Sequence, residues 1–303
     1  MKFILYSFVL TLLTGIFSHN MQAQGSKFVL LEDSGEAIPL SKKTVKPLTA
    51  PFLHEDAFIT TDLRAWAVYH ELGELDGSLE TYALQARLAL TRNFQLLAYK
   101  NGYTKIDVND WSDVTNTSGD DGMNDIGLGV KWSLFQDIGS LLFISVGAGY
   151  EFGVGDDEVL QDTDEYRLWA SVNKGFDRLH FGATVNYIIA DGQNDNELGN
   201  ADMLTLHLHA DYFISKWFSP VFEVNGYFVQ EANGSVNDID FSGVDVVSLN
   251  GGEDNDTITY ALGFELRPLD ESFGLRTAYE TQLNNDEESL FGYRWTFSAV
   301  YEF

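Results

Sequence analysis

His207, His209 and Asp211 lie two residues apart in the run Asp202–Ile214. On an extended strand, residues at i and i+2 share a face and stand about 7 Å apart. Such a row offers two imidazoles and a carboxylate, a donor set that can hold a transition metal. His180, on the preceding extended segment, could join it. The alternative is a plain row of polar side chains on one strand face. Asp156, Asp157 and Glu158, with Asp120-Asp121 and Asp254-Asn255-Asp256, supply hard oxygen ligands suited to Ca²⁺. None has the spacing of an EF-hand loop, so a solvated anionic surface attracting cations diffusely is the competing reading. No serine sits with a histidine in a nucleophile–base arrangement. Gly127-Leu128-Gly129 and Gly147-Ala148-Gly149 lack the context of phosphate loops and read as strand glycines that leave room or allow bending. The chain is therefore expected not to be an enzyme.

Composition narrows the class. The 303 residues carry 46 acidic and 18 basic side chains, a formal net charge of -28. Phosphate backbones would be repelled, which argues against a nucleic-acid partner. Cysteine is absent, so disulfide and thiolate chemistry are too. Residues 1–23 read as a signal peptide: Lys2 is the positive start, Phe3 to Phe17 the apolar stretch, and Ala23 the cleavage position. Residues 24–56 are polar and irregular, with Lys42, Lys43, Lys46, Pro47 and Pro51. They read as a periplasmic extension, with a plug of the barrel mouth as the other option.

From Ala57 to Phe303 the chain alternates apolar and polar residues in about twelve stretches, each near the length that crosses a bilayer at a tilt. The first is Ala57–His70 and the last Phe291–Phe303. In Leu79–Leu90, Tyr82, Leu84, Ala86, Leu88 and Leu90 oppose Thr81, Gln85 and Arg87. In Asn124–Leu134, Ile126, Leu128, Val130 and Trp132 oppose Asp125, Gly127, Gly129 and Lys131. Connections alternate short and long, as in barrels with short turns on one side of a membrane and long loops on the other. Charge sorts the same way. The six long loops hold many Asp and Glu but no Lys or Arg, whereas the short turns carry Arg92, Lys174, Arg178, Lys216 and Arg267. Trp132, Phe135, Trp217 and Phe218 fall near the short turns; Tyr82, Tyr166, Tyr260 and Tyr279 fall near the long loops, as two aromatic girdles would.

This period puts Arg64, Arg87, Asp125, Lys131, Glu151, Glu165, Arg167, Asp211, Glu223, Glu265, Arg276, Glu280 and Arg294 on the inner face as pore-lining candidates. Opposed charges across a lumen can select solutes. They can equally pair with each other and fill a narrow barrel.

Two resemblances add to this. The last stretch, FGYRWTFSAVYEF, places Phe291, Tyr293, Trp295, Phe297, Ala299, Tyr301 and Phe303 on one face. It resembles the C-terminal signal of bacterial outer-membrane barrels, which implies recognition of Phe303 by the barrel assembly machinery. The runs GMNDIGLGVKWSLF (Gly122 to Phe135), SVGAGYEFGVGDDE (Ser145 to Glu158), RLWASVNKGF and LHFGATVNYII resemble, in order and spacing, the outer-membrane family named for the MetA pathway of phenol degradation. Phe152-Gly153-Val154-Gly155 stands where that family has Pro-Thr-Gly. The resemblance implies uptake of small, often aromatic or hydrophobic compounds.

The expectation is an all-β, up-and-down barrel of about twelve antiparallel strands in a bacterial outer membrane, touching lipid and lipopolysaccharide. It would pass a small solute, with an acidic mouth that favours cations and neutral compounds. The alternative is a non-transporting barrel whose acidic loops bind a partner or surface ligand.

Overall fold

The structure, a computed structural model, describes residues 38–72, 77–109, 119–159, 164–191, 200–233, 256–283 and 291–303. The expected signal peptide, the start of the 24–56 segment and parts of all six long loops, Asp254-Asn255 included, lie outside the described residues.

The strands in chain order are β1 (Asp62–Leu72), β2 (Gly77–Thr91), β3 (Phe94–Tyr99), β4 (Gly102–Val108), β5 (Asp121–Met123), β6 (Ile126–Asp137) and β7 (Leu142–Phe152), then β8 (Asp164–Phe176), β9 (Leu179–Asp191), β10 (Asn200–Tyr212), β11 (Ser219–Asn233), β12 (Thr257–Leu266), β13 (Phe273–Gln282) and β14 (Phe291–Glu302). β3 and β4 pair with successive parts of β2 and form one wall strand, interrupted at Lys100-Asn101, where Lys100 takes φ 63°. β5 and β6 form another, interrupted at Asn124-Asp125 and pairing with β4 and β3. Counted so, the wall has twelve antiparallel strands. β1 pairs with both β2 and β14, which closes the sheet. Closure leaves no strand edge, the condition for crossing lipid with strands.

The outer surface is apolar. Leu84, Leu128, Leu168, Leu206, Leu262 and Phe297 are exposed, as are Trp132, Phe135, Trp217 and Phe218 near the short turns and Tyr82, Tyr166 and Tyr279 near the long loops. One expected facing is corrected. Glu71 pairs with Tyr293 but Leu72 with Phe291, so Gly292 is bulged out of the ladder. One extra residue reverses the alternation. Phe291 therefore turns inward and lies buried against His70, ring centroids 4.6 Å apart, rather than toward lipid.

The interior is filled by the chain itself. Residues 38–61 enter at the short-turn end, where Lys43 Nζ meets Glu302 at 2.5 Å. They rise to a tight turn at Ala50, which takes φ 47° and accepts hydrogen bonds from Leu53 N at 3.0 Å and His54 N at 2.9 Å. They then descend to Thr61 and run into β1. This also shifts the start of the first strand from the expected Ala57 to Asp62. Three apolar contacts pin this lumenal hairpin: Val45 and Leu48 on Val221 and Ala278, Ala50 and Leu53 on Ile188, Met203 and Tyr227, and Phe58 on Phe143. Buried irregular backbone must find hydrogen-bond partners outside itself. A polar inner wall provides them here.

Candidate functional site: the lumenal hairpin and the wall that holds it

The descending limb of the hairpin presents Glu55 and Asp56 to a cationic sector of the wall. Arg87 on β2 is ion-paired with Glu55, its Nε donating at 3.2 Å. Lys131 Nζ on β6 stands 3.4 Å from Glu55 and donates to the Asp56 carbonyl at 3.0 Å. Arg64 on β1 reaches Asp56 at 3.0 Å and Asp62 at 2.8 Å. Lys46, from the rising limb, lies 3.4 Å from Asp62. Burial pushes the Glu55 carboxyl up, but Arg87, Lys131 and Arg64 outweigh it and hold the group down to about 2. Asp56 is likewise held well below the carboxylate range, burial being overcome by Lys46, Lys131 and Arg64.

The rising limb faces an acidic sector on β10 and β11. Glu223 accepts from Leu48 N at 2.9 Å, Thr49 N at 2.8 Å and the Thr49 hydroxyl. Asp211 accepts from Val45 N at 3.0 Å. His209 bridges these carboxylates, Nδ1 to Glu223 at 2.7 Å and Nε2 to Asp211 at 3.0 Å. His180 Nδ1 meets Asp211 at 2.7 Å. His207 spends its two ring nitrogens on Asn225 and Thr205. The nitrogens that a metal would need on His207 and His209 are thus engaged by protein groups. Among the described residues, no three His, Asp or Glu side chains converge as a ligand set. The row helps to position the hairpin, through Asp211 on Val45 N and through His209 on Glu223. Glu223→Gln keeps the shape but replaces one carboxylate oxygen by an NH₂ that faces a backbone donor, Leu48 N or Thr49 N, which the oxygen had accepted. It is expected to weaken docking by roughly 1–3 kcal/mol. Faster amide exchange at Leu48 and Thr49, with the strands unchanged, would show it; unaltered exchange there would refute it.

Further along, Arg167 on β8 donates to the carbonyls of Phe52 and of Leu53, the latter at 2.7 Å. Its guanidinium lies 4.7 Å from the Trp169 ring and 5.4 Å from the Tyr99 ring, both cation–π distances. Arg276 on β13 donates to the carbonyls of Lys46 and Pro47 at 3.3 and 3.2 Å. Gln85 Nε2 reaches the Pro51 carbonyl at 2.7 Å. Other inner charges pair within the wall: Arg294 with Glu280 at 2.9 Å, Arg267 with Glu265 at 2.8 Å, and Lys100 with Glu151. Asp125 accepts from Val154 N and Gly155 N at 2.9 and 2.8 Å, tying the wall interruption to the next loop. Glu165 and Ile188 line a small pocket over the hairpin tip, with Phe52, Leu53 and Tyr99. It has room for about one water. Asp156 accepts from Met123 N at 2.6 Å, and Asp157 and Glu158 belong to a single 3₁₀ turn, Asp157–Val159.

Sequence reasoning did not single out Glu55, Asp56 and His54. All three are charged or ionisable residues in a stretch without period, and only the density of such residues between Lys42 and Asp62 marks them.

A closed twelve-stranded antiparallel wall with an apolar exterior and a polar interior is the architecture of an outer-membrane β-barrel. A solved outer-membrane channel shares the fold. The COG4313 outer membrane channel from Pseudomonas putida F1 superposes with a TM-score of 0.56 at 12% identity, over 86% of this chain and 100% of that one. The KdgM porin in complex with disordered oligogalacturonate follows at TM-score 0.46 and 12% identity, over 81% and 99% of the two chains. The outer membrane channel DcaP of Acinetobacter baumannii follows at 0.37 and 11%, over 80% and 96%. No family model and no curated protein matches the sequence.

Proposed function

We propose that this chain is a bacterial outer-membrane channel for passive passage of a small solute, held shut by its own hairpin 38–61. One observation carries the reading: several charged groups in the wall sectors facing the hairpin take partners from it, beside those that some of them find within the wall. Arg87 and Lys131 meet Glu55, Arg167 and Arg276 meet hairpin carbonyls, and Glu223 meets hairpin N–H groups. A wall built to be permanently packed would pair these charges with each other. A wall built for water can exchange water for a polar segment and back, because such hydrogen bonds are individually modest in net terms. Twelve strands also fall between barrels that side chains alone fill and barrels with open channels.

The acidic long loops would give the outer rim a negative potential and, through divalent cations, contacts to lipopolysaccharide. The Asp156 region is the place where Ca²⁺ would gather. The Phe303 end would be read by the assembly machinery. Passage of hydrophobic or aromatic solutes rests on the resemblance to the MetA-pathway family alone.

Single-channel recording in a planar bilayer tests this. The full chain is expected to be closed or to flicker, and deletion of residues 38–56 to give stable, long-lived steps. Silence in both forms would defeat the channel reading and leave a packed barrel whose loops bind a partner.

A further inference from the structure

We infer that the cationic ladder of Arg64, Arg87 and Lys131 is a subsite for small organic anions carrying carboxylates, which Glu55 and Asp56 occupy as an internal stand-in. The inference rests on the channel reading and names one chemical class of solute for it. Three observations lead to it. First, the three cations come from three wall strands, β1, β2 and β6, and converge on two adjacent carboxylates of a segment that is not part of the wall. Second, all three are buried, and the wall offsets them only partly. Asp62 lies 2.8 Å from Arg64 and 3.8 Å from Arg87. Lys131 finds Glu55 and Asp56, both hairpin residues. Withdrawal of the hairpin therefore leaves a net positive ladder, which only an anion or water can relieve. Third, the surroundings suit a carboxylate. Arginine matches its geometry, and the hydroxyls of Ser171 and Thr184, which donate to the Glu55 carbonyl, become available beside it.

The acidic rim does not cancel this field. Potentials between exposed charges decay over about 8 Å at physiological salt. Solute and hairpin claim the same cations, so each excludes the other. A solute that binds the ladder thereby favours the open form.

The test is equilibrium dialysis of the refolded full chain in detergent, with radiolabelled succinate at constant ionic strength and neutral succinamide as the control. The Glu55→Gln/Asp56→Asn variant is expected to bind succinate at least tenfold tighter than the natural chain, and not to bind succinamide. Adding Arg87→Gln and Lys131→Gln is expected to abolish the gain. A double variant that binds no tighter than the natural chain overturns the inference, as does binding that survives loss of Arg87 and Lys131. If the double variant fails to refold to a heat-modifiable barrel, Glu55→Gln alone poses the same question, with a gain of about threefold expected and no gain refuting it. A protein silent in bilayers that still binds succinate through the ladder would sink the channel reading and keep the subsite. Stable channel steps after deletion of residues 38–56, with no succinate binding in the Glu55→Gln/Asp56→Asn variant, would do the reverse.

Discussion

Gly147→Val is expected to yield little or no folded barrel. Gly147 on β7 lies directly across from Trp169 on β8. A Cβ at this glycine would fall inside contact distance of the Trp169 indole, 2.7 Å from its Cη2 and closer still to other ring atoms. The same ring packs over Gly129, while Tyr99 lies on Gly127, whose Cβ would stand 2.6 Å from Tyr99 Cδ2. Four inward glycines on β6 and β7 thus make a flat shelf for two large rings, and Arg167 lies against both. Trp169 is 4% exposed and has nowhere to retreat. Overpacking a tight interior commonly costs 1–3 kcal/mol, and roughly the upper end or beyond is expected where the obstruction is a wall strand. Heat-modifiability on gels and the urea midpoint of refolded protein would measure it. Adding Trp169→Ala should rescue folding to the midpoint of Trp169→Ala alone, a strongly non-additive result. A Gly147→Val protein with the natural midpoint would show that the shelf is not needed.

That shelf marks how far the sequence could be read. The glycines were legible as inward-facing from their period, but the rings that need the room were not. Tyr99 closes β3 just before the chain kinks at Lys100, and an interruption of the ladder leaves no trace in hydropathy. The barrel itself was legible because lipid on one side and polar groups on the other force a period of two over long stretches, and only a local bulge, as at Gly292, escapes that logic. The hairpin was legible only as one of two options, since residues 24–56 read as a periplasmic extension or as a plug of the barrel mouth. A polar segment with prolines looks the same whether water or a polar wall satisfies its backbone. The inner face of Arg87, Lys131 and Arg64 could be placed from alternation, but not their partners, because Glu55 and Asp56 belong to that aperiodic segment. The His207-x-His209-x-Asp211 row shows the same limit: spacing puts the three on one face, but it cannot say that Glu223 and the hairpin amides arrive to claim the row's hydrogen bonds.

His54 makes the docking of the hairpin sensitive to acid. It sits past the tip turn, its ring stacked on His207 at 5.2 Å and edge-on to His209 at 6.1 Å. Its Nδ1 stands 4.0 Å from Glu223, beyond a hydrogen bond. Burial opposes its protonation. Glu223, Asp56 and Glu55 favour it, His209 opposes it, and the net effect brings the imidazole down from 6.5 to about 4. In an undocked hairpin the same ring meets water and titrates near 6.5. Between these values the undocked form takes up a proton that the docked form refuses. Docking is therefore at full strength above about pH 6.5 and weakens as pH falls, by ~1.4 kcal/mol per unit and roughly 3 kcal/mol in all by pH 4. Glu55, held at about 2 when docked, keeps its contribution above the ordinary carboxylate range and loses it only at lower pH, so the two windows are separable. Open probability in bilayers, or exchange of the 45–58 amides corrected for its intrinsic pH dependence, should rise more than tenfold from pH 7 to pH 4.5 in the natural chain. His54→Gln should flatten that rise. Equal slopes in the two proteins would mean that another group senses the acid.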